Sequence, residues 1–230
     1  MDSDTQRKTC SIRRIRRALC ITGALAFIAV LVFVHEFLAV SSPSGQGVLI
    51  VEAWVPKQSL AESAAIFLEG HYDYLVLVGG PMKQKATTQA VAVTYADSAA
   101  NEIRGLNIDP AKVVKISVGP AKNRTYSTAL AVRDWLRRSG NTSQSVDVFT
   151  AGVHARKSWV LFRYALGDSY RVGVIAGPEH SYDPRFWPAS RRGAWIVSRN
   201  VAGYLYYKAA ILLDTHGWRV LTNDSRVGEK

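Results

Sequence analysis

Val48-Leu49-Ile50-Val51 is an unbroken apolar run, with Glu52-Ala53-Trp54-Val55-Pro56 directly behind it. A strand with one wet face alternates polar and apolar residues, whereas a run without alternation belongs to a sheet covered on both sides. Similar short runs follow at 74–78, 113–118, 146–149 and 172–175. Between them lie helical patterns at about 58–69, 88–104, 125–138 and 155–166, with a last one at 194–213. Strands alternating with helices predict an α/β fold. We expect three layers, doubly wound and Rossmann-like, around a mainly parallel sheet of about five strands. The first and fourth strands should lie side by side at the centre. Ligands of such sheets bind beyond the C-terminal strand ends, where the strand order reverses.

That rule directs attention to the residues behind each strand. They are Glu52 after the first, Gly79-Gly80 after the second and Asn123-Arg124-Thr125 after the third. Thr150-Ala151-Gly152-Val153-His154-Ala155-Arg156-Lys157 follows the fourth. Glycines let backbone N–H groups approach an anion, and helix N-termini favour negative charge. Arginine at 124 and 156 suits bidentate recognition of phosphate. The expected cleft therefore binds phosphate or pyrophosphate through Gly79, Gly80, Arg124, Thr125 and Arg156. His154 is the expected general acid or base, with Glu52 orienting it or activating water. Each residue also has a plainer reading: a turn for the glycines, a cap for Thr125, an ion pair between Glu52 and Arg156. Behind the fifth strand, His180-Ser181-Tyr182-Asp183 offers a polar wall, and Asp183 a partner for His154 or His180.

Several chemistries find no support. The five histidines include no close pair and no H-E-x-x-H, so no metal or cofactor is expected. No G-x-S-x-G elbow is present. The net charge of +11 is interleaved with carboxylates, and no nucleic-acid motif accompanies it. Cys10 and Cys20 both lie outside the α/β region and cannot staple it.

The first 17 residues hold Arg7, Lys8, Arg13, Arg14, Arg16 and Arg17 against Asp2 and Asp4. An apolar run from Ala18 follows, broken late by His35 and Glu36 and ending near Val40. This length suits one membrane crossing, and flanking cations stay on the cytoplasmic side. A cleaved signal peptide is the alternative reading. The expected organisation is a cytoplasmic basic N-terminus at 1–17 and a transmembrane anchor at 18–40. A flexible linker at 41–46, an extracytoplasmic domain at 47–213 and a C-terminal tail at 214–230 complete it.

The segments 48–56, 72–81, 124–131 and 150–158 resemble the ElyC/SanA/YdcF family of bacterial envelope proteins, over about residues 47–210. The resemblance implies a Rossmann-like sheet, frequent anchoring in the plasma membrane, and links to peptidoglycan and lipid-carrier metabolism. Two departures stand out. Glu52-Ala53-Trp54 replaces a glycine-rich turn, and Asn200 stands near where some relatives carry an acid. The expected function is to bind a phosphorylated envelope intermediate and hydrolyse or transfer it. The alternative is a non-catalytic factor that binds a phosphorylated ligand, a lipid head group or a membrane partner.

Overall fold

The computed structural model describes residues 3–82 and 93–215, with 3–15, 27, 28, 30, 32 and 215 described as backbone alone. The chain divides between Phe37 and Leu38 into two units. The first is a single helix, α1 (Ser3–Leu38). Among the described residues, no helix is long and apolar enough to cross a membrane. The anchor expected over 18–40 is helical as far as Leu38, but α1 also takes in the charged residues before it. Four of its residues fall outside the described side chains. The tail expected from 214 lies outside the described residues beyond Thr215, as does the start of the helix expected from 88.

The second unit follows the order β1 (Gln46–Glu52), α2 (Lys57–Glu69), β2 (His71–Gly79), α3 (Tyr95–Ile103) and β3 (Val113–Ser117). It continues with α4 (Arg124–Arg138), β4 (Ser145–Ala151), α5 (Ala155–Leu166), β5 (Arg171–Gly177) and α6 (Arg191–Thr215). The five strands are all parallel, in the order β3-β2-β1-β4-β5. β1 and β4 are therefore neighbours at the centre, as the alternating pattern requires. Val48 to Val51 are wholly buried because helices cover both faces.

Side-chain alternation sorts the core into two layers. Val48, Ile50, Val76, Val78, Val146 and Val148 point to one face, packed by α4, α5 and α6. Leu49, Val51, Leu75, Leu77 and Phe149 point to the other, packed by α2 and α3. α3 begins at Tyr95 because Thr94 and Asp97 form a capping box, each side chain bonded to the other's backbone N–H. α5 stops at Gly167, whose φ of 71° lies in the left-handed region that glycine adopts without strain.

The segment read as a flexible linker is bound to the sheet. Ser42 exchanges backbone hydrogen bonds with Val174 of the edge strand β5, at 2.8 and 3.2 Å. The Ser44 and Gly45 N–H groups donate to the buried carboxylate of Asp147 at 2.8 Å. An edge strand presents unpaired N–H and C=O groups, and a buried carboxylate demands donors. Residues 41–45 satisfy both, which composition alone does not reveal.

Candidate functional site

β1 and β4 end side by side, so their following residues meet at the point where strand order reverses. Glu52, the last residue of β1, is in register with Val78 and shares its face, towards α4, α5 and α6. Its side chain is 2% exposed. Ser158 on α5 donates to Glu52 Oε2 at 2.5 Å. The β4 chain passes through a short 3-10 turn, Gly152–His154, and enters α5. That turn puts the His154 imidazole over the same carboxylate, with Nε2 at 3.9 Å from Glu52 Oε2.

α6 and α4 complete the surroundings of the ring. Asn200 on α6 is buried, and its Oδ1 lies 3.0 Å from His154 Nδ1. The Asn200 amide nitrogen donates to Ile196 O at 2.9 Å, so Oδ1 faces the histidine as acceptor. The neutral ring then carries its hydrogen on Nδ1 and leaves Nε2 as a lone pair. Nε2 looks towards Thr125 Oγ1 of α4 at 3.5 Å and towards Glu52. The Trp54 ring stands edge-on at 4.8 Å between centroids, and the histidine side chain is 13% exposed.

This setting holds the imidazole pKa well below its ordinary value. Burial is the largest cause, followed by the Lys157 charge; Arg199 and Arg124 add to it, and the bond to Asn200 opposes it. Lys157 is pushed down to about 8, first by burial and then by Arg199 and Arg124, against the attraction of Glu52. Lys157 also lies against α6, where a Cβ at Gly203 would meet its Cδ at 3.3 Å. Around one carboxylate, then, stand Lys157, Arg124 and Arg199. The cations outnumber the acid, and the imidazole among them is neutral at pH 7.

Helix ends add to the positive field. α4 begins at Asn123 with no side-chain cap; the Asn123 side chain instead accepts from the Tyr207 hydroxyl at 2.9 Å. α5 likewise starts without a side-chain cap. First-turn N–H groups without a cap bear partial positive charge at the helix start.

The residues expected from the sequence divide. Glu52, His154, Arg124 and Thr125 come together. Gly79 faces the opposite layer, where a Cβ would meet Tyr95 Cβ at 2.8 Å and Ala96 N at 3.0 Å. Its observed role is close packing of β2 on α3, and Gly80 O accepts from Tyr95 N at 2.9 Å in the same junction. Arg156 places its guanidinium 5.8 Å from the Trp159 ring, and the charges that lower the His154 pKa are those of Lys157, Arg199 and Arg124. Glu52 bonds to Ser158. His180 pairs with Glu62 at 3.2 Å, and Asp183 caps Arg185 and pairs with it at 2.8 Å. The possible help of Asp183 to either histidine is therefore corrected: Arg185, two residues away, claims the carboxylate.

Neither a family model, a curated protein nor a solved structure matches the chain. The site is consequently read from its own geometry. Among the described residues, no three His, Cys, Asp or Glu side chains are grouped so as to hold a metal ion. Arg199 and Asn200 are the functional candidates that sequence reading passes over or undervalues. Asn200 is marked in the sequence only as a departure from the resembled family, and Arg199 by nothing but position: both lie on the helix after the last strand, which topology brings to the switch point.

One consequence is directly measurable. Replacing Trp54 by alanine admits water to the ring and favours the charged form. The His154 pKa should then rise towards 6.5 in an NMR titration of the imidazole. An unmoved titration would show that the indole does not desolvate the ring.

Proposed function

We propose that the protein is a membrane-anchored, extracytoplasmic component of the cell envelope that binds a phosphorylated intermediate and hydrolyses or transfers it. The observation that carries the chemistry is a neutral histidine, held in one tautomer by Asn200, among three cations at the sheet switch point. Its Nε2 lone pair, facing Thr125 and Glu52, suits a general base at neutral pH. The anchor and the outward side are supported by the apolar run after Arg13, Arg14, Arg16 and Arg17. The resemblance to envelope proteins supports the setting.

In this reading the phosphate oxygens bind Arg124, Lys157 and Arg199, with amides of the uncapped α4 start. His154 Nε2 removes the proton from an attacking water or hydroxyl. The new P–O bond forms as the bond to the leaving oxygen breaks, and the imidazolium returns the proton to that oxygen. Glu52, 3.9 Å from Nε2, stabilises the imidazolium while it exists. Ser158 keeps the carboxylate in place.

Pyrophosphate binding to the full chain, followed by calorimetry, tests the reading. Lys157 is a cation below about 8 and neutral above it. Affinity should therefore fall as pH rises through that value, and Lys157→Arg should remove this step because a guanidinium stays charged. Removing Arg199 by R199A should weaken binding about tenfold or more, for loss of a charge-assisted hydrogen bond. Binding that ignores both changes would place the anion elsewhere. Binding without phosphate release from any polyprenyl pyrophosphate or sugar pyrophosphate would favour the non-catalytic factor.

A further inference from the structure

Helix α6 turns one face inward and leaves another in water. Val197, Asn200 and Ala210 are buried, whereas Trp195 is 66%, Leu205 59%, Tyr206 54% and Leu213 44% exposed. Positions 195, 202, 206, 209 and 213 recur at helical spacing, so the outer face carries Trp, Tyr, Leu and Ala, with Arg199 standing between Trp195 and Ala202. Such a stripe on a 25-residue helix is far more apolar than a solvated face requires.

The charge on this helix is one-sided. From Arg191 to Leu213 it carries Arg191, Arg192, Arg199 and Lys208 and no acid. The acid that follows, Asp214, accepts from the Tyr164 hydroxyl on α5. At the N-terminal end, an open depression of about 760 Å³ is lined by Arg191, Arg192, Ala194, Trp195 and Ser198. Two guanidiniums beside an indole match an anionic head group, and Trp and Tyr favour the head-group level of a bilayer.

We propose that this face of α6 docks on an anionic membrane surface. Arg191 and Arg192 reach the lipid phosphates while Trp195, Leu205, Tyr206 and Leu213 enter the interface. A second copy fits less well, because pairing the same face would bring like charges together with no acid between them. The inference goes beyond the proposed phosphate chemistry and shares with it only the presence of a bilayer. It also places Asn200 and Arg199, which serve the site, on the helix that meets the membrane.

The test uses the full chain with Cys10→Ser and Cys20→Ser, carrying either Leu205→Cys or Asp168→Cys. Asp168 lies exposed just beyond α5. Labelling by a membrane-impermeant maleimide is compared in vesicles of phosphatidylcholine with phosphatidylglycerol and in detergent. The expected result is loss of labelling at 205 relative to 168 in vesicles, restored in detergent and by Arg191→Glu with Arg192→Glu. Equal labelling at both positions in vesicles overturns the proposal. So does protection that survives the charge reversal, persists in detergent, or arises only when copies are crowded in the vesicle, the last two marking cover by the chain itself or by a second copy. Pyrophosphate binding is measured on the same preparation. Its loss with protection intact would sink the phosphate site alone, and the converse would sink the docking face alone.

Discussion

Replacing Asp147 by alanine is expected to destabilise the domain by about 3–5 kcal/mol, the scale of several donors left unsatisfied together at about 1–3 kcal/mol each. The residue is fully buried on the central strand β4. Its carboxylate accepts from the Ser44 and Gly45 N–H groups and from the Ser44 hydroxyl at 3.1 Å. It also accepts from the Tyr72 hydroxyl at 2.8 Å; burial first, and then this bond and the carboxylate charge, push the Tyr72 pKa up. Alanine strands these donors away from water, each at a cost of its own. Residues 41–45 should then detach from β5 and exchange their amide hydrogens faster.

Gly173 belongs to the same knot. A Cβ there would collide with the Asp147 carboxylate and come within 2.8 Å of Ser42 O and 3.0 Å of Ser44 N, so Gly173→Ala should cost a similar amount. Urea unfolding followed by far-ultraviolet circular dichroism measures both variants. A loss below about 1 kcal/mol for Asp147→Ala would mean that the network adds no more than an ordinary hydrogen bond.

His154→Gln is expected to lower turnover of a phosphorylated substrate by about 10²–10⁴-fold, the usual weight of a general base. Pyrophosphate affinity should change little, since Lys157, Arg124 and Arg199 remain. Single-turnover kinetics beside calorimetry separates the two effects. Equal losses in both would assign His154 to binding.

The pH profile gives a sharper sign. Because His154 is depressed below its ordinary value, the base stays unprotonated well into mildly acidic solution. Activity should hold as pH falls through 6.5 and drop only further down. Asn200→Asp sets a carboxylate against Nδ1–H, which stabilises the imidazolium and moves the acid limb upward. An acid limb unmoved by that change would remove Asn200 as the group that orients the ring. The same depression bears on stability. Between its folded pKa and 6.5 the unfolded chain binds the proton and the folded chain does not, so stability is lost as pH is lowered through that window.

The fold was legible because burial on both faces leaves a mark on composition. Continuous Val/Leu/Ile runs between amphipathic stretches admit few arrangements, and the ends of β1 and β4 could be placed together before any geometry was known. Gly79-Gly80 shows where such reading stops. Strand order brings it to the C-terminal edge of the sheet, and there the missing Gly79 side chain lets β2 pack closely on α3, a role that composition does not announce. Arg156 stands one helical position before Lys157, a turn of about 100°, and its guanidinium lies 5.8 Å from the Trp159 ring.

By itself the sequence determined the succession of strands and helices, the parallel sheet, the place of its switch point, and the basic flank of the apolar N-terminal run. These follow from local periodicity and net charge, which short windows of residues carry. Only the tertiary structure decided that Asn200, Arg199 and Lys157 share a site with His154, that Asp147 holds residues 41–45, and that α6 keeps an apolar face in water. Contacts between residues 46 to 106 positions apart depend on how whole elements rotate as they pack, and no single stretch of chain encodes that rotation.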